Sequence, residues 1–546
     1  MSQKKIEENK EIEKEEIDEK TQAQEVEEFI IEKNTEDSDN EKEESSNDDS
    51  EKNSEKEDEE DEDEERDIVD DSLFTFEHEG SVFCCDWNPK DKRLVATGGE
   101  DEKVRVFNVI TKELILSIPE KGKIGESISI IKWSPDGNKI VFCAMNGTIQ
   151  VWDITKKTKL SDLEGSDSEL SFLEWDSTSR GLFGGDDSGL AWIWSASTGN
   201  CKLLSGHAAP VTCGCFGPDG QYALTGSEDR TICMWSIRTG EKTASFNAFQ
   251  KSSSSKPKQA DPMDAITCIA SSPRFPHLIA FGKASGDLCF ATYPNLTLSQ
   301  TFKGLFNDAV NIIEFCRMDT SAAAGEKEKG RKDDSLSLIA VASLSDSGEV
   351  ILIEAKQFRR RGQPLKHPAV VTAMHFHSTL PLLFTACCDG IVRLWDVRSG
   401  ELLNSFTGHS DAVLCLSVCE NIPRELCEEG AAKEKELQEK EEKELKEMKE
   451  AAGAAAEGED AEAPSSSSVP SSSSDSSSTS PSSASASTSS SASPSSLPSA
   501  IAQKLVSSQF SQVLNGFGFI SGSDDGTAKL FVMGEEEEEE DASTKK

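Results

Sequence analysis

The chain has 546 residues, with Asp+Glu 101 against Lys+Arg 57 and a formal net charge of -44. So large an acidic excess argues against direct nucleic-acid or membrane-surface binding, which needs a basic face, and favours basic proteins as partners through long-range attraction. No run of about 18 apolar residues occurs, so no membrane-spanning helix is expected.

The chain opens with an acidic, polar tail over residues 1–71, densest at EKEDEEDEDEERD. Like charges at this density repel and leave little apolar surface to bury, so disorder is expected there. FIIEK, at Phe29–Lys33, is an apolar island suited to a short docking helix. The first ten residues, MSQKKIEENK, are charged and no apolar stretch follows, so no secretory signal is expected. The 15 cysteines, among them Cys84, Cys85, Cys213, Cys215, Cys387 and Cys388, fall in strand-like runs without metal-ligand spacing. Reduced thiols, no metal or other cofactor, and a cytoplasmic or nuclear location are the expectation.

From Leu73 the texture changes to short β-rich runs separated by Gly, Asp, Asn and Pro turns, recurring about every 40–45 residues. Eight segments align: TGGEDEKVRVFN, FCAMNGTIQVWD, FGGDDSGLAWIWS, TGSEDRTICMWS, FGKASGDLCFAT, ASLSDSGEVILIE, TACCDGIVRLWD and SGSDDGTAKLFV. Each carries a turn residue six positions before the aromatic residue or its substitute: Asp101, Asn146, Ser188, Asp229, Ser285, Ser347, Asp389 and Asp525. The period and the Trp-Asp endings predict an all-β WD40-repeat propeller of eight blades over residues 72–534. Flexible insertions are expected at 249–262, 320–335 and 421–511. The last begins with AAKEKELQEKEEKELKEMKEAA, suited to a solvated helix, and continues as a Ser-rich tract over 464–499 that cannot form a packed core. Residues 535–546 form a second acidic tail. Leu73–Phe76 reads as an orphan fourth strand, expected to pair beside Thr527–Val532 and close the ring.

The fourth repeat carries a full set of turn residues, His207, Thr225, Asp229 and Trp235. A buried hydrogen-bonded chain through these four is expected to rigidify the blade. A His/Thr/Asp catalytic reading needs an exposed nucleophile and an oxyanion site, and neither is suggested; no phosphate loop or nucleophile elbow occurs. A non-enzymatic protein is expected.

In such a propeller the loops joining second to third and fourth to first strands share one face. On it the sequence places Glu79, Glu100, Glu102, Asp187, Glu228, Asp346, Asp411 and Asp524, the carboxylates expected to contact a partner. Their neighbours Asp101, Asp229 and Asp525 are assigned to turn hydrogen bonds. The opposite loops hold more Lys and Arg, as in NPKDKR. An Arg-rich segment meeting several such carboxylates sums small contributions, with the tails adding long-range steering.

VATGGEDEKVRVFN, FLEW followed by GLAWIW, TCGCFGPDG with TGSEDRTICMW, and DGIVRLWDVRSGELL together carry a family likeness. Over about 74–418 and 517–532 the chain resembles the angio-associated migratory cell protein family, with its fungal ribosome-assembly WD-repeat chaperone counterparts. The resemblance implies eight blades and a dedicated chaperone for one basic large-subunit ribosomal protein of the L-ten (universal L-sixteen) family; a monomer is expected. The client's basic N-terminal segment is then held on the acidic face during large-subunit assembly. The animal members imply the alternative, a WD-repeat scaffold in signalling or cell migration.

Overall fold

A strand buried on both faces reads as continuous apolar sequence, whereas one facing water alternates. Leu338–Ser343 and Leu382–Cys387 are buried at every position, while Lys242–Asn247 alternates exposed and half-buried residues. The first two are second strands, flanked in their sheet and covered on both faces by neighbouring sheets; the last lies at a sheet's outer edge. The computed structural model describes residues 69–119, 122–248, 264–317, 338–343, 348–430, 432–433 and 516–533.

Among the described residues the strands form eight antiparallel sheets, the blades of a propeller. Blade 1 consists of Cys84–Trp87, Leu94–Gly98, Val104–Asn108 and Glu113–Ile118 in that spatial order. Blades 2 to 5 repeat the order over 128–163, 170–205, 211–247 and 266–302, blade 6 spans 310–366 and blade 7 spans 371–406. First strands pack on the first strands of the blades before and after them, and Val413–Glu420 of blade 8 packs on Cys84–Trp87 of blade 1. The ring therefore closes. In blades 2 to 8 the first strand carries a bulge one residue from its start. Beside three of these bulges a threonine ties its blade to the next: Thr212, Thr267 and Thr372 donate to the carbonyls of Ile266, Val310 and Val413.

Closure uses both halves of the chain. Phe74–Glu77, one residue later than Leu73–Phe76, pairs antiparallel with the third strand of blade 8, Phe74 opposite Leu530 and Glu77 opposite Thr527. Blade 8 thus takes its outer strand from before blade 1 and its inner three from after blade 7. Blade 6 departs from the plan, its outer strand reduced to Arg359–Arg360 and Leu365–Lys366.

The insertion expected to be flexible from residue 421 starts instead as docked structure. Ile422 and Leu426 are buried in the cluster between blades 8 and 1, and residues 424–430 are helical. Two apolar residues four apart occupy that corner, while Glu429 meets Lys112 of blade 1 at 3.1 Å. The sequence expectations for 1–68, including Phe29–Lys33, for 249–262, 320–335 and the Ser-rich tract, and for 535–546 lie outside the described residues.

Candidate functional site

Consecutive strands of a blade run in opposite directions, so second-to-third and fourth-to-first loops emerge at one end of the ring, here the upper face. That topology puts Glu100 and Glu102 of blade 1, Asp187 of blade 3, Glu228 of blade 4, Asp524 of blade 8, and Glu79 and Asp411 of interblade loops on the same face. Asp346 lies outside the described residues. The lower face presents Lys90, Lys92, Arg93, Lys112, Lys156, Arg180, Arg238 and Arg398. Those cations are interleaved with Asp91, Asp136, Asp153, Asp176, Asp219 and Asp396, so the lower face is mixed in charge where the upper loops are predominantly acidic.

In blades 1, 3, 4, 7 and 8 the loop between the second and third strands is held by a buried or half-buried acid, Asp101, Asp186, Asp229, Asp389 and Asp525. In blade 4 the indole N–H of Trp235 donates to Thr225 Oγ1 at 2.8 Å, and Thr225 Oγ1 lies 2.7 Å from His207 Nε2. His207 Nδ1 meets Asp229 Oδ2 at 3.0 Å, while Asp229 accepts the N–H groups of Ala208 and Thr231. Burial opposes ionisation of Asp229, but donors from Thr231, Ala208 and His207 outweigh it and hold the carboxyl below its ordinary range. An ionised Asp229 requires the proton on Nδ1, so Thr225 O–H donates to Nε2. Thr225 is fully buried, which suits a brace and denies access to a substrate.

The brace recurs with substitutions. In blade 8, His409 joins Ser521 at 2.8 Å to Asp525 at 2.9 Å, with Phe531 beside the imidazole. Two versions escape the sequence reading because Gly does not precede the histidine. His78 links Thr97 and Asp101 in blade 1, where Arg105 also pairs with Asp101. In blade 7 Thr385 accepts the Trp395 indole N–H and meets His367 Nε2, but His367 Nδ1 faces Gly348 O and Asp389 turns to Arg393. The near-constant interval from histidine to threonine was the available signal. In blade 3 the loop is braced by Asp186, which accepts from Ser166 and Ser188; Ser188, the residue at the expected turn position, is its donor.

These braces leave other carboxylates for solvent. Glu228 and Asp524 are exposed and make no side-chain hydrogen bond or ion pair with a described residue. Among the described residues Asp411 accepts only the adjacent Ala412 N–H, Asp187 accepts Ser168 Oγ at 2.7 Å, and Glu100 accepts Ser81 N–H at 3.2 Å. Glu79 is 71% exposed, with Lys103 at 3.8 Å. Glu102 differs from the expectation that it is free. Its backbone sits at φ 60, and its carboxylate accepts Lys123 Nζ at 3.1 Å and Gly125 N–H at 3.0 Å. It therefore ties the upper loop that precedes blade 2's first strand, and its carboxylate is engaged there rather than open to solvent. Exposed Glu126 and Asp308, just before first strands of blades 2 and 6, join the face unanticipated; their position in fourth-to-first loops was the signal.

Cys388 lies exposed on this face. Partial burial, then the fields of Asp389, Asp524 and Asp411 from the neighbouring upper loops of blades 7 and 8, push its thiol up. Among the described residues no group of His, Cys, Asp and Glu is arranged to hold a metal ion. The face offers several anionic oxygens on short loops, groups that pair well with cationic hydrogen-bond donors.

The model of the WD domain, G-beta repeat, matches residues 199–236 and 362–396, and that of eukaryotic translation initiation factor eIF2A matches residues 64–184. The angio-associated migratory cell protein of Homo sapiens is 28% identical over 350 residues, 63% of this chain and 75% of the relative. Among solved structures, Saccharomyces cerevisiae Sqt1 superposes with TM-score 0.55 at 16% identity, covering 85% of this chain and 99% of that one. Chaetomium thermophilum Sqt1 bound to the N-terminus of the ribosomal protein L10 gives 0.52 at 20% identity, covering 64% and 94%. At such identities the solved structures speak for the fold. The chain is a WD-repeat propeller similar to the angio-associated migratory cell protein and to Sqt1.

Proposed function

We propose that this propeller is a non-catalytic chaperone that grips the basic N-terminal segment of a large-subunit ribosomal protein on its acidic upper face, in the cytoplasm or nucleus. The carrying observation is the division of labour among the upper carboxylates. One set is buried against histidine, arginine and backbone donors, which frees Glu79, Glu100, Asp187, Glu228, Asp411 and Asp524 to face solvent from fixed loops. Rigid loops matter because a pre-ordered acceptor loses little entropy on binding. Sqt1, similar in fold, binds the N-terminus of ribosomal protein L10, which makes that protein the first client to try.

Each exposed ion pair is worth only about 0–1 kcal/mol, so affinity is the sum over several acids and falls with salt. The test is titration of a fluorescent peptide of the L10 N-terminal segment against the wild type and a Glu100→Lys, Glu228→Lys, Asp524→Lys variant at two salt concentrations. Salt-sensitive binding that the triple variant loses supports the proposal. Equal binding by both proteins, or none by the wild type, defeats it. The alternative of a signalling or migration scaffold, suggested by the name of the human relative, predicts a chief partner retained at high salt in a pull-down.

A further inference from the structure

The outer edge of blade 6 is a place where this acidic chain turns basic. From Ala355 to Lys366 the sequence reads AKQFRRRGQPLK, with five cations and no acid. Phe358 turns inward, its ring 5.0 Å from that of Phe290 in blade 5, and Leu365 is buried between blades 6 and 7. These two anchors leave Lys356, Arg359, Arg360 and Lys366 exposed, with Arg361 half-buried. Arg359–Arg360 and Leu365–Lys366 each pair with the third strand, Glu349–Glu354, while 361–364 interrupt the ladder with Gly362 at φ 67.

Little of this charge is neutralised. Among the described residues Arg359 has an ion pair with Glu354 at 2.7 Å, while Lys356, Arg360, Arg361 and Lys366 make no side-chain hydrogen bond or ion pair. Glu349 stands across the ladder from Lys366, so Glu349 and Glu354 together leave three of the five positive charges over. On one side, Thr297–Phe302 of blade 5 carries no charged residue; on the other, Glu401–Phe406 of blade 7 adds the single acid Glu401. Cations on the rims of blades 2 and 3 are engaged instead. Lys156 meets Asp153, Lys159 meets Asp162, Lys157 donates to Ile115 O, and Lys202 donates to the carbonyls of Ile237 and Arg238.

We propose that the outer edge of blade 6 binds the phosphate backbone of RNA through Arg359, Arg360, Arg361, Lys356 and Lys366. A guanidinium forks two parallel N–H donors onto phosphate oxygens, and three stand in succession where the chain reaches solvent. An acidic protein segment fits the edge less well. The break at 361–364 interrupts the row of backbone groups that an added strand uses, and the segment exposes no large apolar side chain to anchor a peptide. Backbone phosphates need neither. The net charge of -44 opposes a polyanion at a distance, but fields decay over about 8 Å in physiological salt, so the edge is governed by its own cations. It lies apart from the upper carboxylates, and the inference does not rest on the chaperone reading.

Fluorescence anisotropy of a labelled single-stranded poly-uridine 20-mer with the full chain, over a salt series starting at 50 mM, tests this. The wild type is expected to bind and to weaken as salt rises. Arg360→Ala with Arg361→Ala and Lys366→Ala is expected to weaken binding at least tenfold and to flatten the log–log salt slope by about 2, the share of three contacts on a single strand. Removing equal charge from another rim, with Lys156→Ala, Lys157→Ala and Lys202→Ala, is expected to change affinity less than twofold. If the blade 6 alanine variant melts early, Arg360→Gln with Lys366→Gln is read in its place, with at least a fivefold loss expected. No binding by the wild type at 50 mM salt, or equal losses from the two rims, overturns the proposal. So does a poly-glutamate 20-mer that displaces the RNA at lower concentration than unlabelled poly-uridine, which makes the edge a protein-docking surface. The L10 peptide is expected to bind the blade 6 variant as it binds the wild type, so failure here and failure of the chaperone reading give different results.

Discussion

Phe74 lies directly across a β-ladder from Leu530, so the strand that enters the propeller first completes the blade that is built last. Next to it Phe76 is 3% exposed, with its ring 4.4 Å from that of Phe107 in blade 1. The seam is thus held by the ladder and by an aromatic contact that crosses between blades. Phe76→Ala is expected to lower stability by about 3–5 kcal/mol, the usual cost of emptying a buried phenylalanine site. Denaturant unfolding followed by tryptophan fluorescence reads this; an unchanged midpoint means that the ring does not depend on the seam.

Thr225 is the hub of the blade 4 brace, taking the Trp235 N–H and giving its own proton to His207. Thr225→Val keeps the volume and strands both partners inside the blade, at a cost of about 1–3 kcal/mol. Glu228, three residues on and exposed, is expected to tolerate alanine within about 0.5 kcal/mol. Affinity should invert the ranking: Glu228→Lys weakens the client peptide and Thr225→Val does not.

Glu102 and Asp524 look alike in sequence, each beside a turn aspartate, yet only Glu102 is bonded, to Lys123 and Gly125. Glu102→Gln is expected to loosen the 122–126 loop, seen as faster amide exchange there, with little loss of client affinity. Asp524→Asn should do the opposite. Equal effects of the two on affinity would mean that the Glu102 charge remains available to ligands.

Burial, followed by the field of Arg393, pulls the His367 imidazole down to about 4 from 6.5. A group depressed in the folded state contributes stability that is present above pH 6.5 and lost as pH falls through about 4, here up to about 3 kcal/mol. Asp86, raised by burial to about 6, acts in the opposite sense between about pH 4 and 6. A comparison of wild type with His367→Gln cancels that contribution. The wild type is expected to lose more stability between pH 6.5 and 4.5; parallel curves refute the assignment.

Cys388 lies in the fields of Asp389, Asp411 and Asp524. Its thiol is held up by burial and by these charges, so alkylation at pH 8 is expected to be slower than at Cys201, the other exposed cysteine. Asp411→Asn with Asp524→Asn removes two of the charges and should speed the reaction. An unchanged rate means that the carboxylates lie farther from the thiol.

The eight-bladed ring is legible in the linear chain because its determinants are local. Apolar runs with a turn residue at a fixed place recur once per blade, and each repeat needs only its neighbours. The blade 4 brace is legible for the same reason, since His207, Thr225, Asp229 and Trp235 keep standard intervals. The versions in blades 1 and 7 are hidden by replacement of the glycine before the histidine and, in blade 1, by Arg105 near the turn aspartate.

Sequence alone determined the repeat, the number of blades and the concentration of acids in the upper loops, since strand order and loop composition follow from period and charge. Tertiary structure decided which acids are free and where the chain leaves the ring. Glu102 is consumed by a lysine and an amide brought to it by the course of the next interblade loop, and Ile422 with Leu426 finds a pocket made by two blades that are distant in the chain. Such contacts depend on where other segments arrive after the ring has closed, and no local period encodes that.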